Sequence, residues 1–145
     1  IAVINRYEKK KIALGFIKNF GLKKGAIASS VAHDSHNIVV IGCSDEEMAR
    51  AANMIIKSKG GLVAWSYDQH KCIPLPIAGL MTDQNGYNIA DDYILLVALA
   101  KEFGSTLNDP FMTMGFMSLL VIPKLKLSDK GLFDCEKFQL TELFE

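Results

Sequence analysis

At residues 25–42 the chain reads GAIASSVAHDSHNIVVIG, a short polar cluster between two apolar runs. Apolar runs on both sides of a few polar residues predict a strand, a tight loop and a second strand. Residues 33–37 of the loop are His, Asp, Ser, His and Asn, so two imidazoles, an acid, a hydroxyl and a carboxamide share one short segment. No other five-residue window holds as many groups able to take part in chemistry. This loop is therefore the candidate functional site.

The loop residues support three interpretations. Imidazoles three residues apart converge in a turn, so His33 and His36 with the Asp34 carboxylate could hold a metal ion. One of the histidines, tuned by Asp34, could instead act as a general acid or base. The third interpretation is structural, with Asp34, Ser35 and Asn37 satisfying backbone groups of the loop. The residues alone leave these alternatives open.

The segments after the loop predict an alternation of strands and helices. Residues 38–43 form a β-branched run suited to the centre of a sheet. Ser44 and Glu47 have capping-box spacing and begin a helix that ends at the glycine pair 60–61, before a strand at 62–65. A second helix is predicted from about Ile89 to Gly104, and a third begins at Asp109 with proline at its first position. We therefore expect one α+β domain over residues 1–145, a mixed β-sheet with two or three helices packed against it.

Three further segments bear on packing. Residues 2–7 and 12–20 predict a hairpin, and two prolines in residues 72–76 exclude that run from the centre of a sheet. The strand at 25–32 has only small side chains on one face, which suits either tight packing under a helix or the approach of another domain. The methionine-rich run 111–121 suits either a buried helix or a pliable interface.

Composition narrows the class of protein. The chain has 16 basic and 16 acidic residues and is 50% hydrophobic, which indicates a globular fold and gives no charge signature for nucleic acid or an anionic membrane. No apolar run is long enough to cross a bilayer. Three widely spaced cysteines without a C-x-x-C pair fit reduced thiols in a cytoplasmic protein. Because the chain begins at Ile1 rather than at methionine, we expect it to be part of a longer protein.

Four ordered blocks resemble the C-terminal domain of bacterial and archaeal adenine deaminase. The first and longest runs from Gly15 through the histidine loop to Asn37. The others are LPIAGLM at 75–81, DPFMT at 109–113 and IPKLKL at 122–127. The resemblance covers nearly the whole chain and weakens in 61–72, in 82–92 and after 133. Several blocks in order are far more specific than any one motif.

The resemblance implies an amidohydrolase that hydrolyses adenine to hypoxanthine and ammonia in purine salvage. Its manganese or iron ions are held in a (β/α)8 barrel whose ligand motifs have no match in this chain. We therefore expect the trailing domain of the enzyme, inactive in isolation, with adenine, its own barrel domain and a second copy as partners in a homo-oligomer. No metal is expected in this chain itself, and His33 and His36 are only outside candidates as ligands.

By the same resemblance, the histidine loop is expected to line or close the mouth of the active site, with residues 78–80 nearby. His33, Asp34 and His36 are then the candidate catalytic residues, and Ser35 and Asn37 are the candidate substrate-binding residues. The alternative is a structural or interaction domain that takes part in dimerisation or barrel packing without a direct catalytic role.

Overall fold

The computed structural model describes residues 1–144, which form three helices and two sheets. The strands are β1 (Ala2–Ile4), β2 (Ala13–Leu14), β3 (Ala26–Ser29), β4 (Ile38–Gly42), β5 (Gly61–Trp65), β6 (His70–Pro74), β7 (Leu125–Ser128), β8 (Gly131–Asp134) and β9 (Gln139–Leu140). The helices are α1 (Asp45–Lys57), α2 (Gly86–Glu102) and α3 (Pro110–Phe116). This architecture confirms the α+β class and the presence of three helices.

The main sheet has six strands in the order β2-β1-β4-β3-β5-β6. Each neighbouring pair is antiparallel, which refines the expected mixed sheet. The strand, helix and strand predicted between residues 38 and 65 are present as β4, α1 and β5. Strands β4 and β5 run parallel to each other, with β3 inserted between them. The two prolines of residues 72–76 predicted that this run would not lie at the centre of a sheet. This is confirmed, because β6 is an edge strand.

Helix α1 covers one face of this sheet. The Ser44 hydroxyl caps its N-terminus by accepting from the Glu47 amide, and Glu47 in turn accepts from Ser44 Oγ and from the buried Gly25 amide. Below the helix, the methyl groups of Ala26 and Ala28 pack in one cluster with Ala51 and other α1 residues. Of the two interpretations of the small-sided strand, tight packing under a helix is therefore the one that the structure confirms.

The opposite face of the sheet is covered by α2 and α3. Ile27 and Val39 point to this side and share a core with Leu96 and Phe103 around α2 and with Met114 of α3. Helix α3 ends at Phe116 instead of continuing to residue 121, because the chain turns at Met117, whose amide donates to the Met114 carbonyl. The methionines of the run 111–121 differ in burial, since Met114 is fully buried whereas Met112 is exposed.

The last segment forms the small sheet β7-β8-β9, which packs beside β2 and places Leu127 in the core. This segment is therefore a peripheral antiparallel sheet that contributes one side chain to the core. None of the helices described between residues 1 and 144 is long and apolar enough to cross a membrane.

Candidate functional site

The histidine loop lies at the surface where β3 leads into β4. Its backbone is closed by the His36 amide, which donates to the Ala32 carbonyl over 2.6 Å. His36 has a φ of 50°, in the left-handed region that a non-glycine residue seldom adopts. The loop is thus a tight turn, as the sequence predicted.

Two of the five loop residues are fixed by contacts inside the domain. Asn37 is only 2% exposed; its side-chain oxygen accepts from the Arg6 amide and its Nδ2 donates to Ser35 Oγ over 3.2 Å. The Ser35 carbonyl accepts from the Tyr7 hydroxyl over 3.1 Å. These bonds hold the loop against the segment that follows β1. Asn37 therefore has a structural role within the domain.

Three side chains of the loop, those of His33, Asp34 and His36, form no hydrogen bond among the described residues. Within the described chain, neither His33 nor Asp34 has a hydrogen-bond or ion-pair partner for its side chain; Asp34 is exposed, whereas His33 is half-buried. The His33 ring stacks on Phe116 of α3 at a centroid distance of 5.6 Å and meets the His36 ring edge-on at 5.9 Å. Packing therefore orients the His33 imidazole while leaving its nitrogens free for a ligand.

His36 combines a constrained backbone with an unsatisfied nitrogen. Its Nδ1 is buried and has no hydrogen-bond partner among the described residues. Its ring contacts that of His33 and so shares the packed side of the loop.

The loop separates two pockets. One, of about 220 Å³, has His33 on its rim and is otherwise largely apolar, lined also by Ser29, Val31, Leu62, Tyr93, Phe111, Met112 and Gly115. The other, of about 310 Å³, lies beside Asp34 and Ser35 and reaches residues 118–121 and 128–130. His33 and Asp34 thus face different cavities, although they are neighbours in sequence.

A tyrosine and an aspartate brace the wall of the first pocket. The Tyr93 hydroxyl of α2 donates to the Asp109 carboxylate, with oxygens at 2.7 and 2.8 Å, and Asp109 also caps α3 by accepting from the Met112 amide. Burial, followed by the hydrogen bond to Asp109, raises the pKa of Tyr93 above its ordinary value. The phenol therefore stays neutral and structural at physiological pH.

The loop does not have the geometry of a metal centre. Among residues 1–144, no group of three or more His, Cys, Asp and Glu side chains is placed to hold a metal ion. His33, Asp34 and His36 are therefore not brought together as a set of three ligands, and the expectation that this chain holds no metal stays a prediction.

Arg6 and Tyr7 support the site, although no motif marks them in the sequence. Arg6 Nη2 donates to the Ala78 carbonyl over 2.9 Å and to the Tyr7 hydroxyl, which in turn donates to Ser35. The guanidinium also lies directly over Gly79, where a side chain would collide with it. This chain of contacts links the histidine loop to residues 78–80, as the resemblance led us to expect.

Comparison with known proteins shows the family to which the chain belongs. The family model described as adenine deaminase C-terminal domain matches residues 1–139. The chain is 50% identical over 145 residues to the adenine deaminase of Methanothermobacter thermautotrophicus and 54% identical over 143 residues to that of a Sulfurovum species. The adenine deaminase of Borreliella burgdorferi is 52% identical over 140 residues.

These matches cover 95–100% of the chain but only 26–27% of each relative. The chain thus spans about a quarter of the length of the curated relatives it matches. With the family model extending over almost all of its residues, the chain belongs to the adenine deaminase C-terminal domain family.

Proposed function

We propose that this domain serves a hydrolase that converts adenine and water to hypoxanthine and ammonia, and that the histidine loop lies over the substrate opening of that enzyme. The observation that carries the proposal is that the residues of the loop differ in their hydrogen bonding. Ser35 and Asn37 are bonded inside the domain, whereas His33 and Asp34 keep their full hydrogen-bonding capacity at the surface. A surface loop held rigidly while presenting an imidazole and a carboxylate is suited to contact a polar substrate.

The division of roles follows from these contacts. His33, with its ring fixed by Phe116, is placed to donate or accept a proton at the purine or at the departing ammonia. Asp34, on the other side of the loop, is exposed and can accept a hydrogen bond from a donor group at the opening, and His36 packs edge-on against the His33 ring. Ser35 and Asn37 act mainly by holding the turn.

The metal chemistry is assigned to a different part of the enzyme. We propose that iron or manganese is held by a (β/α)8 barrel of the amidohydrolase type elsewhere in the polypeptide, because the described residues offer no ligand set. The setting would be cytoplasmic purine salvage, which suits the three free cysteine thiols.

Kinetics of the full-length enzyme test the role of the loop. We expect His33→Ala and Asp34→Ala each to lower kcat/KM for adenine by about tenfold or more, the usual scale for losing a positioned proton-transfer or hydrogen-bonding group. His70→Ala is the matched control, because His70 is an exposed histidine on the edge strand β6. Its kinetics should stay within about twofold of the parent enzyme.

Metal content and the unfolding midpoint should be the same in all three variants. Unchanged kinetics in both His33→Ala and Asp34→Ala would reject the active-site role. Equal losses in the His70→Ala control would show that the effect is not specific to the loop.

A second candidate function is assembly without direct catalysis. It is favoured by large apolar side chains that the domain leaves exposed, among them Phe16 beside β2 and Tyr87 on α2. Sedimentation of the chain alone tests this role, since a strictly monomeric species that binds no apolar dye would count against it.

A further inference from the structure

Helix α2 carries apolar side chains on its outward face as well as on the face that this domain covers. Its inward face supplies Leu96 and Ala100 to the core. On the outward face Tyr87 is 85% exposed, Ile94 65% and Leu95 57%. Large exposed apolar side chains grouped on one face of a helix are typical of a surface that contacts a partner, so we expect this face to meet one.

The outward residues form one continuous stripe. They recur at intervals of three or four along the helix, which places them one above the other on a single face. The stripe consists of Tyr87, Asp91, Ile94, Ala98 and Lys101, with Ala90 and Leu95 on its flanks. Over 17 residues the helix is about 25 Å long, and the small alanines allow another helix to approach closely.

The charges of the stripe are self-complementary. Asp91 lies near the start of the helix and Lys101 near its end, and neither forms an ion pair within the described residues. Asp92, immediately next to the stripe, is by contrast paired with Lys71 at 2.7 Å. The stripe therefore carries one free charge of each sign at opposite ends of an apolar centre.

We infer that this face of α2 is the contact surface for a second copy of the chain, with the two helices packed antiparallel about a twofold axis. With the axis at the level of Leu96, Asp91 of each copy lies opposite Lys101 of the other. The same register sets Ile94 over Ala98, a large side chain on a small one. An interface that satisfies both copies with one set of residues is what twofold symmetry requires.

The position of α2 favours a second copy over the rest of the enzyme as the occupant. Helix α2 packs on β5 and β6 at one edge of the main sheet, whereas Ile1 lies beside β1 and β2 at the other edge. Polypeptide that precedes residue 1 in the relatives would join the domain at that distant edge. This inference rests on the assembly role proposed above and not on the role of the histidine loop.

Sedimentation of the 145-residue chain tests the surface. Over about 1 to 200 µM, where interfaces of modest size associate, the parent chain should change from a 16.0 kDa monomer to a species of twice that mass. Ile94→Glu should weaken association by about a hundredfold or more, because it buries a charge without a partner. Ile56→Glu is the control, since Ile56 is 56% exposed on α1 on the other face of the sheet, and it should leave association unchanged.

A charge exchange tests the register. Asp91→Lys and Lys101→Asp should each weaken the dimer by about tenfold through like-charge contacts, and the double variant should restore association. A parent chain that stays monomeric throughout, a dimer indifferent to Ile94→Glu, or a double variant as weak as the single ones would each overturn the inference. Because no readout here uses adenine, its failure is distinct from failure of the catalytic proposal.

Discussion

Tyr93 shows how a single hydroxyl can make stability depend on pH. Because burial and Asp109 favour the neutral phenol in the fold, the pKa of Tyr93 is higher in the folded chain than its ordinary value of 10.0. The unfolded chain therefore releases this proton first as the pH rises. The stabilisation from Tyr93 is complete below pH 10 and is lost as the pH climbs from 10 towards the folded pKa.

Tyr93→Phe should reveal this dependence in urea unfolding. At pH 7 the variant should be less stable by about 1 kcal/mol, since it loses a hydrogen bond to a carboxylate. That deficit should shrink between about pH 9.5 and 11, because only the parent chain loses stability from this group. Tyr87→Phe is the control, as its phenol is exposed and makes no side-chain hydrogen bond in the described residues. A deficit that is constant over this range would contradict the assignment.

At the scale of residues, sequence reasoning identifies functional side chains that are adjacent in the sequence. It misses those that only the fold brings together. The five groups of the loop are adjacent, so composition alone reveals them. Arg6 and Tyr7 join the loop from about thirty positions earlier, and the three lysines that follow them suggest only a solvated turn. The burial of Asn37 also has no local signal, because it depends on where the end of β1 comes to lie.

At the scale of elements, the domain depends on a close backbone crossing behind the site. Gly60, after α1, lies so near Gly79 that a Cβ at position 60 would collide with the Gly79 backbone, and Gly60 has a φ of +123°. The hydroxyl of Ser30 bridges the same place by accepting from the Gly61 amide and donating to the Gly79 carbonyl. The Arg6 guanidinium packs against Gly79 and donates to Tyr7, which bonds Ser35 of the histidine loop. The crossing therefore supports the loop through Arg6.

Gly60→Ala should therefore destabilise the domain by about 3 kcal/mol or more, from backbone collision together with an unfavourable φ. Gly86→Ala is the matched control, because Gly86 begins α2 with nothing within 4 Å of the added methyl group. It should be neutral or stabilise the chain by up to about 1 kcal/mol, as alanine favours the helix. Equal unfolding midpoints for the two variants would show that the crossing is not rigid.

Elements with local start and stop signals are the ones that sequence reasoning finds. Capping at Ser44 and Asp109 and the glycines after α1 and α2 correctly locate the helices. The end of α3 is missed because residues 117–121 are apolar apart from Ser118. In the fold the chain turns at Met117, whose carbonyl accepts from the Leu127 amide of β7. His70 and Lys71 belong to a polar stretch whose composition favours a turn, but pairing with Trp65 and Ala64 places them in β6.

At the scale of the whole molecule, the order of the strands in the sheet is the feature that local sequence patterns do not predict. The sequence predicts strands on both sides of the histidine loop, yet it does not indicate that β3 inserts between β4 and β5. That insertion places the loop at the end of the two most buried strands, with helices on both faces of the sheet. A rigid sheet beneath an exposed loop is an arrangement suited to presenting side chains to a neighbouring surface.

The proposed separation of this domain from a metal-binding part of the enzyme leads to a last prediction. The 145-residue chain alone should release no ammonia from adenine, even with Fe(II) or Mn(II) supplied, because its described residues hold no metal-binding group. A chelator should for the same reason leave its unfolding midpoint unchanged, since nothing that binds only the folded state is removed. The full-length enzyme is the control, and it should lose activity on chelation and regain it with the same ions. Ammonia release by the chain alone, or a chelator shift of more than about 2 °C in its midpoint, would mean that the domain builds a metal centre of its own.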